Sequence, residues 1–497
     1  MNLRDKIDER VFHLVGDSAD EMGLTACVVG GYVRDLLLRR PSKDIDFVAE
    51  GSGIELARRV ASKVGKGAHV SVFATYGTAQ VRYGKTELEF VGARRESYNI
   101  DSRNPVVESG TLAEDLSRRD FTVNAMAISV NKDSFGEIID PYDGMSDLYN
   151  KILRTPLDPD VTFSDDPLRM MRAVRFAAQL DFMIYPDTFD AIKRNAERIK
   201  IITKERINDE LGKILRSPRP SIGFRLLDES GLLPLIFPEL CALKGVESVE
   251  NLGHKDNFNH TLQVLDNVAA RSDKEWLRWA ALLHDIGKPA TKKFEPGRGW
   301  TFRNHNFIGE KMVPRIFRNM KLPLNEKMKY VAKLVGMHMQ PQAVGEEQVT
   351  DRAIRRMSKE AGEDLEDLMI LAEADITSKN KAKVQRILEN FQYVRNRLAE
   401  VSSKDDWREW ENPINGNMIM AMFSLERGNV EDGKVIGMIR DRIKDEIFCI
   451  PERDNFDFAY DFLLQIAPEY GLTIDKDIDK EQIRAMVKKR KTAQTDR

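Results

Sequence analysis

Val28-Val29-Gly30-Gly31-Tyr32-Val33-Arg34-Asp35, followed shortly by Asp44-Ile45-Asp46-Phe47, decides the reading of this chain. An apolar run feeds a Gly-Gly turn, and the turn opens a helix carrying Arg34. Glycine lets the backbone come close to a phosphate and present its N–H groups, and the helix that follows adds its positive end. Arg34 can reach back to the same phosphates. Asp44 and Asp46 alternate along a second apolar run, and a strand there puts both on one face. Two carboxylates on one face beside a glycine turn can hold divalent metal ions against a triphosphate. A Gly-Gly pair alone is equally a plain tight turn. Gly-Gly-x-Val-Arg-Asp followed by Asp-x-Asp is more specific, because it sets three elements of a nucleotidyl transfer in order. A third carboxylate usually completes such a site, and Glu89 is the candidate, with Glu87 competing.

Outward from this stretch, residues 1 to about 150 read as a small mixed α/β unit. The pattern predicts a helix over 3–22, strand 26–29, helix 32–39, strand 45–48, helix 53–64 and strands near 69–74, 78–83 and 87–91. A further helix is predicted to start near Ser117 or Arg119, and a short strand and turn near 136–144 close the unit. From about 164 the chain reads as almost entirely helical, punctuated by Pro186, Pro218, Pro220, Gly231, Pro234 and Pro238. The fold class is therefore α+β, a mixed-sheet head followed by all-α segments. The predicted domains are 1–150, 151–244, 245–380 and 381–497.

Composition narrows the classes. At 497 residues with 42% hydrophobic content, the chain has ample apolar residues for several cores. No apolar run reaches membrane-span length, the N-terminus has no signal-like core, and Cys27, Cys241 and Cys449 form no metal-type spacing. A reducing, cytoplasmic setting is expected. With a net charge of −3, any nucleic-acid surface must be local. Lys311, Arg315, Arg318, Lys321, Lys327, Lys329 and Lys333 against the single acid Glu326 make one such stretch, or else a solvated helix face.

Arg118-Arg119-Asp120-Phe121-Thr122-Val123-Asn124-Ala125 supplies the next motif. Arg119 can bind a phosphate and Asp120 a sugar hydroxyl. In isolation the same residues read as a cap with surface ion pairs. Taken with Gly30 to Asp35 and Asp44 to Asp46, they resemble the class II CCA-adding tRNA nucleotidyltransferases and the bacterial poly(A) polymerases. Arg94 to Asn104 looks like that family's flexible loop, and Asp140-Pro141-Tyr142-Asp143-Gly144 with Asp147-Leu148 like its head–neck connection. The resemblance covers residues 25 to about 240. It implies Mg²⁺ held by Asp44 and Asp46, ATP and CTP as substrates, and a tRNA acceptor arm as partner.

Ser164-Asp165-Asp166-Pro167-Leu168-Arg169 opens a helix, with Ser164 or Asp165 as the expected N-cap and Pro167 in its first turn. Arg169, Arg172 and Arg175 share one face of it. Three arginines among Met171, Val174 and Phe176 are costly unless something anionic lies against them. By resemblance, Asp166 and Arg169 form an amino-acid template for the base edge of CTP or ATP, and Arg172 and Arg175 add phosphate or structural contacts. Asp165 stands where the family usually has Glu.

Five of the seven histidines lie between 254 and 338. His260, the adjacent His284-Asp285, His305, His338 and Asp375 offer nitrogen and oxygen ligands in a repeated helical context. A lone histidine is most often a satisfied side chain, but this order resembles the His-Asp metal phosphohydrolases. His260, His284, Asp285 and Asp375 match the core ligands, and His305 and His338 match those of versions with a second metal or a bound phosphate. A second divalent transition metal is implied. Residues 412–447 loosely resemble the family's RNA-binding tail. CCA addition with an attached phosphohydrolase is the leading expectation. A poly(A) polymerase or a partial CC- or A-adding enzyme is the alternative, and a phosphohydrolase with an RNA-binding head is the alternative from another class. No protein partner and no membrane are expected.

Overall fold

The computed structural model describes residues 2–484 apart from 43, 66, 75, 76, 85, 100, 101, 246, 247, 250, 251, 254, 255, 298, 347–350, 379, 405–410, 426–428 and 474–478. His254 and the basic end at 488–491 lie outside the described residues. The chain divides into two compact units, residues 1–332 and 333–497.

The first unit begins with the mixed sheet. Helix α1 (Arg10–Glu21) precedes β1 (Ala26–Val29), whose four residues are all buried. Then come α2 (Gly31–Leu37), β2 (Asp44–Ala49), α3 (Gly53–Val64), β3 (His69–Phe73), β4 (Thr78–Tyr83) and β5 (Thr86–Gly92). A hairpin of β6 (Arg94–Asn99) and β7 (Ser102–Ser109) follows, then α4 (Leu112–Ser117), β8 (Ala127–Ser129) and β9 (Ile138–Ile139). The seven-stranded order is β3-β4-β5-β2-β1-β8-β9. Only β2 and β5 run parallel within it, and their register sets Asp44 beside Glu87 and Asp46 beside Glu89. The apolar sides of β2 and β5 meet as stacked Phe47 and Phe90 rings 5.3 Å apart, leaving the acidic side outward.

Two predicted elements of the head differ. The helix expected over 3–22 is broken, because Asn2 and Leu3 pair with the 136–137 turn, only a 3₁₀ turn (Arg4–Lys6) follows, and the α-helix begins at Arg10. The helix expected to start near Ser117 ends there instead. It starts at a capping box, in which Thr111 accepts from Glu114 N–H and the Glu114 carboxylate accepts from Thr111 N–H. The segment after it enters a 3₁₀ turn (Thr122–Asn124) that carries the chain into β8.

Helix α5 (Gly144–Asn150) then lies against the 3₁₀ turn. A Cβ on Gly144 would stand 2.3 Å from the Thr122 carbonyl, so only glycine permits this approach. Helix α6 (Pro159–Asp165) is capped by Asp158 and ends where a helix start was expected. Asp166 is extended, its Oδ1 accepts from Leu168 N–H at 3.1 Å, and Pro167, not Ser164 or Asp165, stands at the N-cap of α7 (Leu168–Leu180). Helices α8 (Pro186–Asn195) and α9 (Lys204–Leu215) complete the neck, with α9 packed on α7. Among the described residues, three short two-stranded pieces interrupt the helical part after β9, pairing 152–153 with 183–184, 248–249 with 252–253, and 293–295 with 299–301.

The second unit is helical. Asn415, Asn429 and Asn455 cap successive helices Gly416–Phe423, Val430–Cys449 and Phe456–Ile466. These bury a shared core of Met418, Ile419, Ile439, Ile443 and Leu463. Among the described residues, no helix is long and apolar enough to cross a membrane.

Candidate active site and metal centre

A cavity of about 610 Å³ opens where the acidic side of the head sheet meets α7 and α9. Gly30, Gly31, Arg34, Asp44, Asp46, Arg119, Asp120, Asp166, Arg169, Arg172 and Arg175 all line it. The structure thus brings these residues together, with Glu87 and Glu89 outside the lining.

At the glycine end, Gly30 has φ 73° and ψ −133°, backbone angles that essentially only glycine adopts. A Cβ there would stand 2.7 Å from Arg119 Nη1, so this guanidinium lies directly against the turn. The fully buried Asp115 fixes it. Its Oδ2 accepts from Arg119 Nε and Nη2 at 3.3 and 3.1 Å, and its Oδ1 from Arg118 Nε and Nη2 at 3.1 and 2.5 Å. Arg34 is also pre-set, donating bidentately to Asp35 at 2.9 Å and through Nη1 to Asn124 Oδ1 at 2.8 Å.

Asp44 is exposed and Asp46 half-buried on the outward side of β2. Burial, then Glu89 and Asp44, push the Asp46 carboxyl up to about 6, with Arg119 opposing. Such crowded like charge is what a divalent cation relieves, and an all-oxygen donor set suits Mg²⁺. Glu87 is held by Arg82 at 2.5 Å and Gln80 at 3.3 Å, which leaves Glu89 as the acid acting on Asp46. Neither glutamate lines the cavity. Among the described residues, the three-ligand clusters do not include Asp44, Asp46 or Glu89.

The neck arginines divide. Arg172 donates through Nε and Nη2 to Asp120 Oδ2 at 2.7 and 2.6 Å, and Arg175 pairs with the buried Glu210 at 2.8 Å. Arg34, Arg172 and Arg175 all pack on the Phe176 ring, at 5.0, 5.5 and 4.1 Å from its centroid. Asp120 Oδ1 also accepts from Phe121 N–H and Asn124 Nδ2, both at 2.9 Å. Burial would raise the Asp120 carboxyl, but Arg172 and Asn124 outweigh it and bring it to about 2. Four donors engage this carboxylate, and it ties the head to α7. Arg175 is likewise a structural partner of Glu210. Among the described residues no carboxylate pairs with Arg169, which stands beside Asp166 at the opening of α7.

A second constellation lies around Asp285, a buried residue of the same unit. Its Oδ2 is 3.4 Å from His260 Nε2, 3.2 Å from His284 Nε2 and 2.6 Å from Lys288 Nζ, and its Oδ1 is 3.2 Å from His305 Nε2. His284 and His305 donate Nδ1–H to the carbonyls of Ala281 and Phe302, both at 2.8 Å, which turns each Nε2 toward Asp285. Ligand atoms of His260, His284 and Asp285 fall within 4.8 Å of one another, an N/O set suited to a divalent transition metal. Burial works to raise Asp285, but the adjacent imidazoles and Lys288 hold it well below the usual carboxylate range. His338 and Asp375 belong to the second unit. There His338 is buried and donates Nδ1–H to Val335 at 2.7 Å, and Asp375 follows the helix Leu365–Ala374.

Asp115, Asn124, Arg206 and Glu210 were missed as site residues. Asp115 lies one helical turn before Arg118 and Arg119, a spacing that could have found it. Arg206, a cavity-lining residue of α9, and Glu210 carry no such signal.

A mixed-sheet head with a paired-carboxylate cavity, closed by an arginine-bearing neck helix, defines a nucleotidyltransferase. Residues 26–154 match the Poly A polymerase head domain, 181–244 the probable RNA and SrmB-binding site of polymerase A, and 257–380 the HD domain. An A-adding tRNA nucleotidyltransferase of Aquifex aeolicus is 45% identical over 198 residues, 39% of this chain but only 24% of that relative's length. A multifunctional CCA protein of Psychromonas ingrahamii is 34% identical over 319 residues, 63% of this chain and 73% of the relative. A solved tRNA nucleotidyltransferase, complexed with a primer tRNA and an incoming ATP analog, is similar with a TM-score of 0.53 at 28% identity, covering 77% of this chain and 99% of that one. The chain belongs to the family of CCA-adding tRNA nucleotidyltransferases and bacterial poly(A) polymerases, in a form that carries an HD domain.

Proposed function

We propose that this enzyme adds C, C and A to the 3′ end of tRNA from CTP and ATP without a nucleic-acid template. The observation that carries this reading is the single cavity joining Gly30, Arg119 and the Asp44–Asp46 pair to Asp166 and Arg169. The Gly30–Gly31 turn and Arg119 take the triphosphate. Asp166 accepts from the exocyclic amine that cytosine and adenine share, and Arg169 donates to the adjacent ring nitrogen. Uracil and guanine present a carbonyl where that amine would be. The RNA 3′-hydroxyl oxygen bonds to the α-phosphorus, and the bond to pyrophosphate breaks. Mg²⁺ held by Asp44 and Asp46 would supply Lewis-acid charge stabilisation there. The head is assigned to 1–150, the neck to 151–244, the HD segment to 245–380 and an RNA-binding tail to 381–497. The location is cytoplasmic.

His260, His284 and Asp285 would hold a divalent transition metal for phosphoester hydrolysis at tRNA ends, with His305 serving a second metal or a bound phosphate. Addition of A alone is the second reading, favoured by the A-adding name of the Aquifex aeolicus relative. Incubation with tRNA lacking its last three nucleotides and labelled CTP and ATP decides between them. Stepwise C, C, A and then arrest is expected, abolished in Asp46→Ala. Incorporation of A only into tRNA ending in CC supports the second reading, and long A tracts overturn both.

A further inference from the structure

Asn124 is buried, lines the cavity, and sits between two charged groups of opposite sign. Its Oδ1 accepts from Arg34 Nη1 at 2.8 Å, and its Nδ2 donates to Asp120 Oδ1 at 2.9 Å. Arg34 belongs to the helix that opens at the glycine turn, and Asp120 in turn grips Arg172 on α7. A side-chain amide is the group that accepts from a guanidinium on one end while donating to a carboxylate on the other. A carboxylate at this place could accept from Arg34 but would face Asp120 with like charge. We propose that Asn124 is a positioning residue that locks the phosphate-holding turn to the base-reading helix, and so sets which bases are accepted.

The chain Arg34–Asn124–Asp120–Arg172 crosses from head to neck through hydrogen bonds of 2.6 to 2.9 Å. Arg169 lies one turn before Arg172 on the same helix, so the distance from triphosphate to base edge depends on this link. The proposal rests on the nucleotide-transfer reading above. Steady-state incorporation of CTP, ATP, UTP and GTP by wild type and Asn124→Asp tests it, with thermal unfolding alongside. Asn124→Asp is expected to raise KM for CTP and ATP and to lower discrimination against UTP and GTP by about tenfold or more. A purely structural role would lower all four rates together and leave their ratio intact, and that outcome in a folded variant overturns the proposal. If Asn124→Asp does not fold, Arg34→Lys gives the same readout, because lysine keeps the charge yet cannot hold Asp35 and Asn124 together. A wild type that incorporates no CTP or ATP would instead sink the function on which the proposal rests.

Discussion

Most arginines around the cavity are matched to an acid, and Arg169 is informative because no carboxylate pairs with it among the described residues. Arg34 has Asp35, Arg118 and Arg119 share Asp115, Arg172 has Asp120 and Arg175 has Glu210. Arg175→Ala strands the buried Glu210 carboxylate with Lys213 alone, and should cost about 3–5 kcal/mol by urea denaturation. Arg169→Ala should leave the urea midpoint nearly unchanged while abolishing preference for CTP and ATP in the incorporation assay. The spacing of 169, 172 and 175 was legible as one helix face. Their partners were not, because Asp120 and Glu210 stand 52 and 35 residues away and only the fold brings them near. Asp46 gives a pH prediction. Its folded carboxyl is raised to about 6, so the folded state holds a proton that the unfolded state has released. Stability should fall as pH rises from about 4 to about 6, with the penalty fully present above that. In metal-free protein Asp46→Asn should therefore stabilise the fold at pH 7.5 by on the order of 2 kcal/mol, read as a higher melting temperature, and lose that advantage below about pH 4. An unchanged melting temperature at pH 7.5 would refute the crowding of Asp46 by Glu89 and Asp44.

Helices and turns position these groups through short local signals. The strands β1, β2, β4 and β5 fell close to their predicted bounds, because apolar alternation and turn residues mark them directly. The helix boundaries near 117 and 165 were misplaced, because the Thr111–Glu114 capping box and the extended Asp166 set them by local hydrogen bonds that apolar periodicity does not mark. At Gly30 the backbone angles and the 2.7 Å approach of Arg119 argue the same way. Gly30→Ala should strain the turn and displace Arg119, raising KM for nucleotide at least about tenfold and costing about 1–3 kcal/mol in urea denaturation. At Gly144 the obstacle is backbone, the Thr122 carbonyl, which cannot step aside as a flexible side chain can. Gly144→Ala should cost about 1–3 kcal/mol in urea denaturation, because α5 must lift from the Thr122–Asn124 turn. A stability equal to wild type would show that this contact is not as tight as drawn.

Over the whole molecule, two sites use different ligand chemistry within residues 1–332. One is a carboxylate pair on a sheet, suited to a hard cation and a triphosphate. The other is an imidazole and carboxylate cluster on helices, suited to a softer divalent ion. Their ligands share no residue, so removing one should spare the other. Asp46→Ala should end nucleotide incorporation while leaving transition metal bound to purified protein. Asp285→Ala removes the one carboxylate that all three imidazoles face, and should empty that site and abolish hydrolysis of a 2′,3′-cyclic phosphate while CTP and ATP incorporation continues. Elemental analysis of both variants, beside the two assays, reads the outcome. If Asp285→Ala keeps its metal, the cluster around Asp285 is not a metal centre. If it loses nucleotide incorporation with its fold intact, the two sites are not chemically independent, and the HD segment must serve the transfer reaction itself.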